Sequence, residues 1–138
     1  MEGSPQSSTE ISINRITEGV IRAAMKVHSA LGPGLLESAY EACMAHELRK
    51  AGFKVMRQVG LPLVYDGVEL DVGYRVDLLV EDRVIVELKS VEKMIPVYDA
   101  QIISHLRLSG KRVGLLINFH VVKLKDGIKR FVEGTDWH

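Results

Sequence analysis

Apolar residues recur at helical spacing near the start of the chain and at strand spacing through its middle. In NRITEGVIRAAMKVHSALG, residues 14 to 32, Ile16, Val20, Ala23, Ala24, Val27 and Leu31 fall on one helical face. Asn14 is placed to cap this helix and Gly32 to stop it. The GPG at 32 to 34 breaks the chain, and a second helix is predicted from about Leu35 to Ala51. Leu36, Tyr40, Cys43, Met44 and Leu48 form its apolar face. Strand patterns follow: FKVMRQVGLPLVY, a tight turn at Asp66-Gly67, and VELDVGYRVDLLV in return. A polar break, Glu81-Asp82-Arg83, leads into VIVELKSV. Pro96 stands where a helix would begin, and PVYDAQIISHLRLSG reads as a helix closed by Gly110. RVGLLINFHVV is a buried strand, and KLKDGIKRFVE suggests a last hairpin around Asp126-Gly127. The predicted order is α-α-β-β-β-α-β-β.

The strand at 84 to 91 carries the first chemistry. Val84, Val86 and Leu88 point one way, whereas Glu87 and Lys89 point the other. If the preceding strand pairs with it across a three-residue connection, Val80 lies opposite Val84 and Asp77 opposite Glu87. Asp77, Glu87 and Lys89 then share a face, with the two carboxylates on the order of 5 Å apart. Like charges that close need a cation or a raised pKa, and carboxylate oxygens suit a hard ion such as Mg²⁺. An ammonium beside them would neutralise charge on a phosphate. By spacing alone, the commoner meaning is a set of cross-strand ion pairs on a solvated face, each worth under about 1 kcal/mol. The apolar runs on both strands favour a covered cleft instead.

Composition narrows the setting without deciding it. With 138 residues, 46% hydrophobic and 26% charged, the chain is sized for one domain with a core. Residues 1 to 12 read as a Ser-rich disordered leader, 13 to 133 as the domain and 134 to 138 as a tail. Formal net charge is zero, so overall charge does not call for a polyanionic partner. From Arg107 onward, however, seven Lys/Arg face three acids, and Lys111, Arg112, Lys129 and Arg130 are the expected nucleic-acid contacts. The lone Cys43 fits a reducing compartment, and no apolar run is long enough to span a membrane, so the expected location is the cytoplasm. His28, His46 and His120 have no ligand spacing with one another or with Cys43, which argues against a zinc site.

The D-x9-E-L-K element from Asp77 to Lys89 resembles the core of the PD-(D/E)XK nuclease superfamily. GLLESAY, Gly34 to Tyr40, is similar to the signature of the GxxExxY family within it, as are the surrounding LGPGLLESAYE, VELKSVEKMIPVYDAQIISHLRLSG and VGLLINF. The resemblance implies an α/β, restriction-endonuclease-like fold, a mixed central sheet flanked by helices. It implies Mg²⁺ or Mn²⁺ held by Asp77, Glu87 and the Leu88 carbonyl, with Lys89 assisting the attacking water or the transition state. Glu37 would join the metal shell, and Gln101 would orient the site. The implied activity is phosphodiester hydrolysis in DNA or RNA, DNA being the favoured partner. A homodimer is possible and no membrane is involved. The alternative is a descendant that binds nucleic acid or protein without cutting.

Two departures from the pattern stand out: Val76 replaces the proline before Asp77, and His105 replaces a tyrosine four residues after Gln101. His105 reads either as a partly buried helix residue or as a group reaching the cleft. Glu37 has a competing role as a helix-capping acid. Tyr40 and Tyr98 read as packing residues, and Glu41 as a solvated one.

Overall fold

A computed structural model describes residues 11–134. The first helix, α1, spans Ile13–Leu31 and buries Ile16, Thr17, Val20, Ala23, Ala24 and Val27, which is the predicted stripe with Thr17 added and Leu31 left out. Its cap is Ser12 rather than Asn14: the Ser12 hydroxyl accepts from the Arg15 N–H at 3.1 Å. The second helix, α2, spans Glu37–Lys50 and starts two residues later than the pattern suggests. Leu35 and Leu36 precede it, and Leu36 is exposed. The cause is Tyr40, whose hydroxyl donates to the Gly32 carbonyl at 2.5 Å and accepts from the Leu35 N–H at 3.2 Å. That bracket holds residues 32 to 35 as a loop. The Tyr40 ring is fully buried and stacks on Phe119 with centroids 4.3 Å apart.

Strands β1 (Val55–Tyr65) and β2 (Val68–Val80) form the predicted hairpin, with Tyr65 paired to Val68 across Asp66-Gly67. Strand β3 (Val84–Lys89) pairs antiparallel with β2, and Val80 meets Val84 as the spacing requires. Glu81 and Asp82 supply the left-handed turn residues (φ 54° and 55°) in place of glycine. Helix α3 (Pro96–Ser109) crosses over from β3 to β4 (Val113–Asn118), which lies parallel to β3. The last part of the chain departs from expectation. Leu124–Gly127 is a 3-10 turn, and β5 (Ile128–Val132) pairs with β4 instead of forming a hairpin with residues 123 to 125. The sheet is therefore mixed, in the order β1-β2-β3-β4-β5.

Both faces of β3 are covered, which explains its continuous apolar run. Val84, Val86 and Leu88 pack with Leu78, Val80, Leu115 and Ile117 under α1 and α2. Ile85 packs with Leu79, Val76, Leu116, Ile102 and Leu106 under α3. Among the described residues no helix is long and apolar enough to cross a membrane.

The 3-10 turn docks tightly against the end of β4. A Cβ added at Gly127 would overlap the Asn118 carbonyl oxygen, a backbone atom that has nowhere to retreat. Gly127→Val is expected to destabilise the domain by roughly 1–3 kcal/mol, as overpacked sites do. A thermal melt would show a midpoint several degrees below wild type, and an unchanged midpoint would contradict this packing.

Candidate active site

The β2–β3 ladder is short. It runs from Val80↔Val84 to Leu78↔Val86 and stops, so the Asp77–Glu87 pair suggested by the spacing is not formed. The strands part at this point, and Asp77 takes over as hydrogen-bond acceptor: its Oδ2 accepts from the Leu88 N–H at 2.8 Å. Face alternation breaks at the same place. Val76 packs beneath α3, while Leu78 and Val80 pack beneath α1 and α2. On β1 the matching break falls at Gln58, which sits at φ 51°; Val55 lies in one layer, Val59 and Leu61 in the other. Arg75, which the same register placed opposite Lys89, pairs instead with Gly60 on β1.

Around this split the structure gathers charged and polar groups from every layer. The Gln58 side-chain amide donates to Asp77 Oδ1 at 3.2 Å and to Glu41 Oε1 at 2.6 Å. Arg57 Nε donates to Glu41 Oε2 at 3.0 Å. On β3, Glu87 is buried and its Oε2 is hydrogen-bonded to His105 Nδ1 from α3. Lys89 makes no ion pair among the described residues; its ammonium lies 4.4 Å from the centroid of the Tyr98 ring, also on α3.

Burial is the main cause of a raised Asp77 pKa, reinforced by the charges of Glu87 and Glu41. The bonds from Leu88 N–H and Gln58 act in the opposite direction without cancelling it.

Asp77 meets Leu88 directly and lies within reach of the Glu87 charge, but through a break in the ladder and not through the expected cross-strand pair; Lys89 follows two residues after Glu87 on β3. Gln101 is exposed on α3, one turn before His105, beside the same cleft. Glu37 is exposed at the first position of α2 and makes no hydrogen bond or ion pair among the described residues. It lies at the Lys89 end of the sheet, because the Leu35 carbonyl near it accepts from Ser90 Oγ at 2.5 Å.

Glu41, expected to be solvated, is instead buried, and it is the helix acid whose charge reaches Asp77. The signal for this was present in the sequence. Met44, Ala45 and Leu48 stand at i+3, i+4 and i+7 from Glu41, which puts it on the buried stripe. Gln58 gave no such signal, since its role arises from a strand distortion.

Two of the expected nucleic-acid contacts lie elsewhere. Lys111 and Arg112 precede β4, at the opposite end of the β3/β4 pair from Lys89, a span of roughly 17 Å for five residues. With Arg83 and Arg130 they line a separate cavity of about 520 Å³. Lys111 pairs with Asp82 at 3.3 Å, Lys129 with Asp99 at 2.5 Å, and Arg130 bonds Asn14 at 3.4 Å.

A divalent cation fits the donor set at the split. In an extended strand, one residue's N–H and C=O project from the same edge. The Lys89 carbonyl faces β4, where it accepts from Phe119 N–H, so the Leu88 carbonyl faces Asp77 across the gap. Two carboxylates and a carbonyl there are hard oxygen donors. No group of three or more His, Cys, Asp or Glu side chains is arranged as a ready-made metal cage among the described residues.

Residues 14–131 match the family profile of the PD-(D/E)XK nuclease superfamily, and the chain belongs to that superfamily. Its members generally use divalent metal ions and act on nucleic acid. No curated protein and no solved structure matches the chain.

Because burial raises the Asp77 pKa, the folded chain holds this proton more tightly than the unfolded chain does. The stability this contributes is fully present below the unfolded Asp pKa and is lost as pH rises through the folded one. Asp77→Asn keeps an oxygen for Leu88 N–H and removes the charge. In chelator, this variant is expected to melt above wild type at neutral pH, with the gap closing as pH falls into the ordinary Asp range. Parallel melting curves across that range would contradict the burial effect.

Proposed function

We propose that this domain hydrolyses phosphodiester bonds in nucleic acid, DNA rather than RNA, at the β2–β3 split. The signature Gly34, Glu37 and Tyr40 supports reading it as a member of the GxxExxY family of the superfamily. The observation that carries the reading is Asp77 bonded to the Leu88 N–H and within reach of the charge of buried Glu87, with the Lys89 ammonium, in no ion pair among the described residues, two positions on along β3. Asp77, Glu87 and the Leu88 carbonyl would hold Mg²⁺ or Mn²⁺, and Glu41 stands behind Asp77 through Gln58. When bound, such an ion lowers the pKa of a water and offsets phosphate charge.

The chain's own groups do the rest. Lys89 stabilises charge that builds on the phosphoryl oxygens as water attacks in line with the departing oxygen. His105 fixes the Glu87 carboxylate, and outer hydrogen bonds of this kind hold a metal-ligating acid in one orientation. Gln101 orients the scissile phosphate, and Glu37, exposed at the start of α2, would help hold the ion. Lys111, Arg112, Lys129 and Arg130 contact flanking backbone.

A second reading is a binding module that no longer cuts. It is favoured by the engagement of Glu87 Oε2 by His105 and of both Asp77 oxygens by Gln58 and Leu88. On that reading the site closes on itself instead of on a cation.

Two measurements separate these readings. Calorimetry with Mn²⁺ is expected to give saturable heat for wild type and none for Asp77→Ala or Glu87→Ala. A panel of single-stranded, duplex and branched DNA and of RNA, assayed with Mn²⁺, should show cleavage by wild type. Lys89→Ala should lower the rate by about 10²–10³-fold, in the range of a lost transition-state donor. Absence of Mn²⁺ heat in the wild type would overturn the catalytic reading.

A further inference from the structure

The β1–β2 hairpin extends well beyond its contact with β3, and the face it turns toward α3 is apolar. Leu61 pairs with Tyr74, Leu63 with Leu70, and Tyr65 with Val68. Directly paired residues share a face, and alternation along β1 puts Leu61, Leu63 and Tyr65 on the same one. Leu61 packs with Ile102 and Leu106 of α3, which identifies that face. Beyond Leu61 the cover ends: Tyr74 is 44% exposed and Val68 54%. Asp71 to Gly73 form a bulge opposite Pro62, with Gly73 at φ 78°, and the arm changes course there.

Between arm and helix lies a groove of about 540 Å³, walled by Leu63 and Tyr74 on one side and by Val97, Ala100 and Leu108 on the other. Gln101 and His105 line it as well. His105 lines the groove and also bonds Glu87, so one side chain separates the groove from the candidate active site. The Tyr74 ring stands 6.1 Å from the His105 ring, tilted by 49°.

Charge identifies the occupant. A duplex presents a dense row of phosphates, about one charge per 1.7 Å of axis, and hides its bases. A surface built to track it needs free cations. Among the described residues, the one Lys or Arg lining this groove, Arg107, is paired with Glu133 at 2.7 Å. What the groove offers instead is an aromatic face, aliphatic walls, an amide and an imidazole. These suit the flat, apolar face and polar edge of an unstacked base. The volume is within the range of sites that enclose a small organic group.

We propose that this groove receives an unstacked base of single-stranded nucleic acid, with the adjoining phosphate led past Lys89. The inference rests on the nuclease reading and specifies its substrate as an unpaired strand or a frayed end.

The test is fluorescence anisotropy in chelator, using a labelled single-stranded oligonucleotide and its duplex, with wild type, Tyr74→Ala and Tyr74→Phe. Circular dichroism establishes that each variant is folded. Wild type is expected to bind the single strand more tightly than the duplex. Tyr74→Ala should weaken single-strand binding by about 5- to 100-fold, the effect of one lost stacking platform, and Tyr74→Phe should restore it. Duplex binding should not change.

Equal single-strand affinity for wild type and Tyr74→Ala overturns the groove, as does a wild-type preference for duplex. So does a dimer by sedimentation that Tyr74→Ala dissolves, which would put a second copy of the chain there. Duplex cleavage at one rate by wild type and Tyr74→Ala sinks the groove and leaves the nuclease standing. Tyr74-dependent strand binding with no cleavage of any substrate does the reverse.

Discussion

One hydrogen bond organises this protein: the Leu88 N–H donates to the Asp77 carboxylate instead of to a neighbouring strand. Where β2 leaves β3, the edge of β3 would otherwise expose an unsatisfied amide inside the fold. Asp77 satisfies that amide with a side chain, and this leaves a gap in the middle of a sheet and not at its rim. Asp77, Leu88 and the charge of Glu87 meet at that gap. Sheet integrity and site formation are therefore the same event, since the residue that ends the ladder also supplies the first oxygen of the site.

The cost is electrostatic. Glu41, Asp77 and Glu87 come from a helix and two strands and are close enough for two of them to raise the pKa of the third. The fold meets this with donors from separate elements: Arg57 and Gln58 from β1, His105 from α3, and a backbone amide from β3. Gln58 is central, because one amide group bonds a carboxylate from α2 and another from β2. These contacts keep the acids in place without a cation while leaving oxygen lone pairs free for one. Lys89, resting over Tyr98, is the positive group held apart from that network.

The sequence revealed the elements wherever hydrophobic period and punctuation agreed. The stripe of α1, Pro96 at the start of α3, the Asp66-Gly67 turn and the Val80–Val84 register were all legible from spacing. Boundaries failed where a tertiary contact took precedence over local preference. Ser12 rather than Asn14 caps α1, and the Tyr40 hydroxyl delays α2 past Leu35 and Leu36. The C-terminal segment misled because Asp126-Gly127 resembles a hairpin turn, whereas Leu124 is drawn into the core and folds the chain into a 3-10 turn. For the site, the shared face of Glu87 and Lys89 was visible through alternation. Asp77, by contrast, reaches β3 through a break in the ladder that spacing did not reveal, and Gln58 was hidden because its role depends on a left-handed backbone in mid-strand. Of the expected basic contacts, Lys111, Arg112 and Arg130 do gather around one cavity, whereas Lys111 and Lys129 have acidic partners of their own.

The long hairpin also determines where this compact scaffold tolerates growth. Its tip, Tyr65 to Val68, is exposed, and Tyr65 and Val68 stand clear of both core clusters. Insertions concentrate at such tips because they disturb neither buried packing nor buried backbone. A longer loop, or an entire appended module, could be spliced there without moving Asp77, Glu87 or Lys89. The same minimal unit could then acquire new recognition elements while its chemistry stayed fixed.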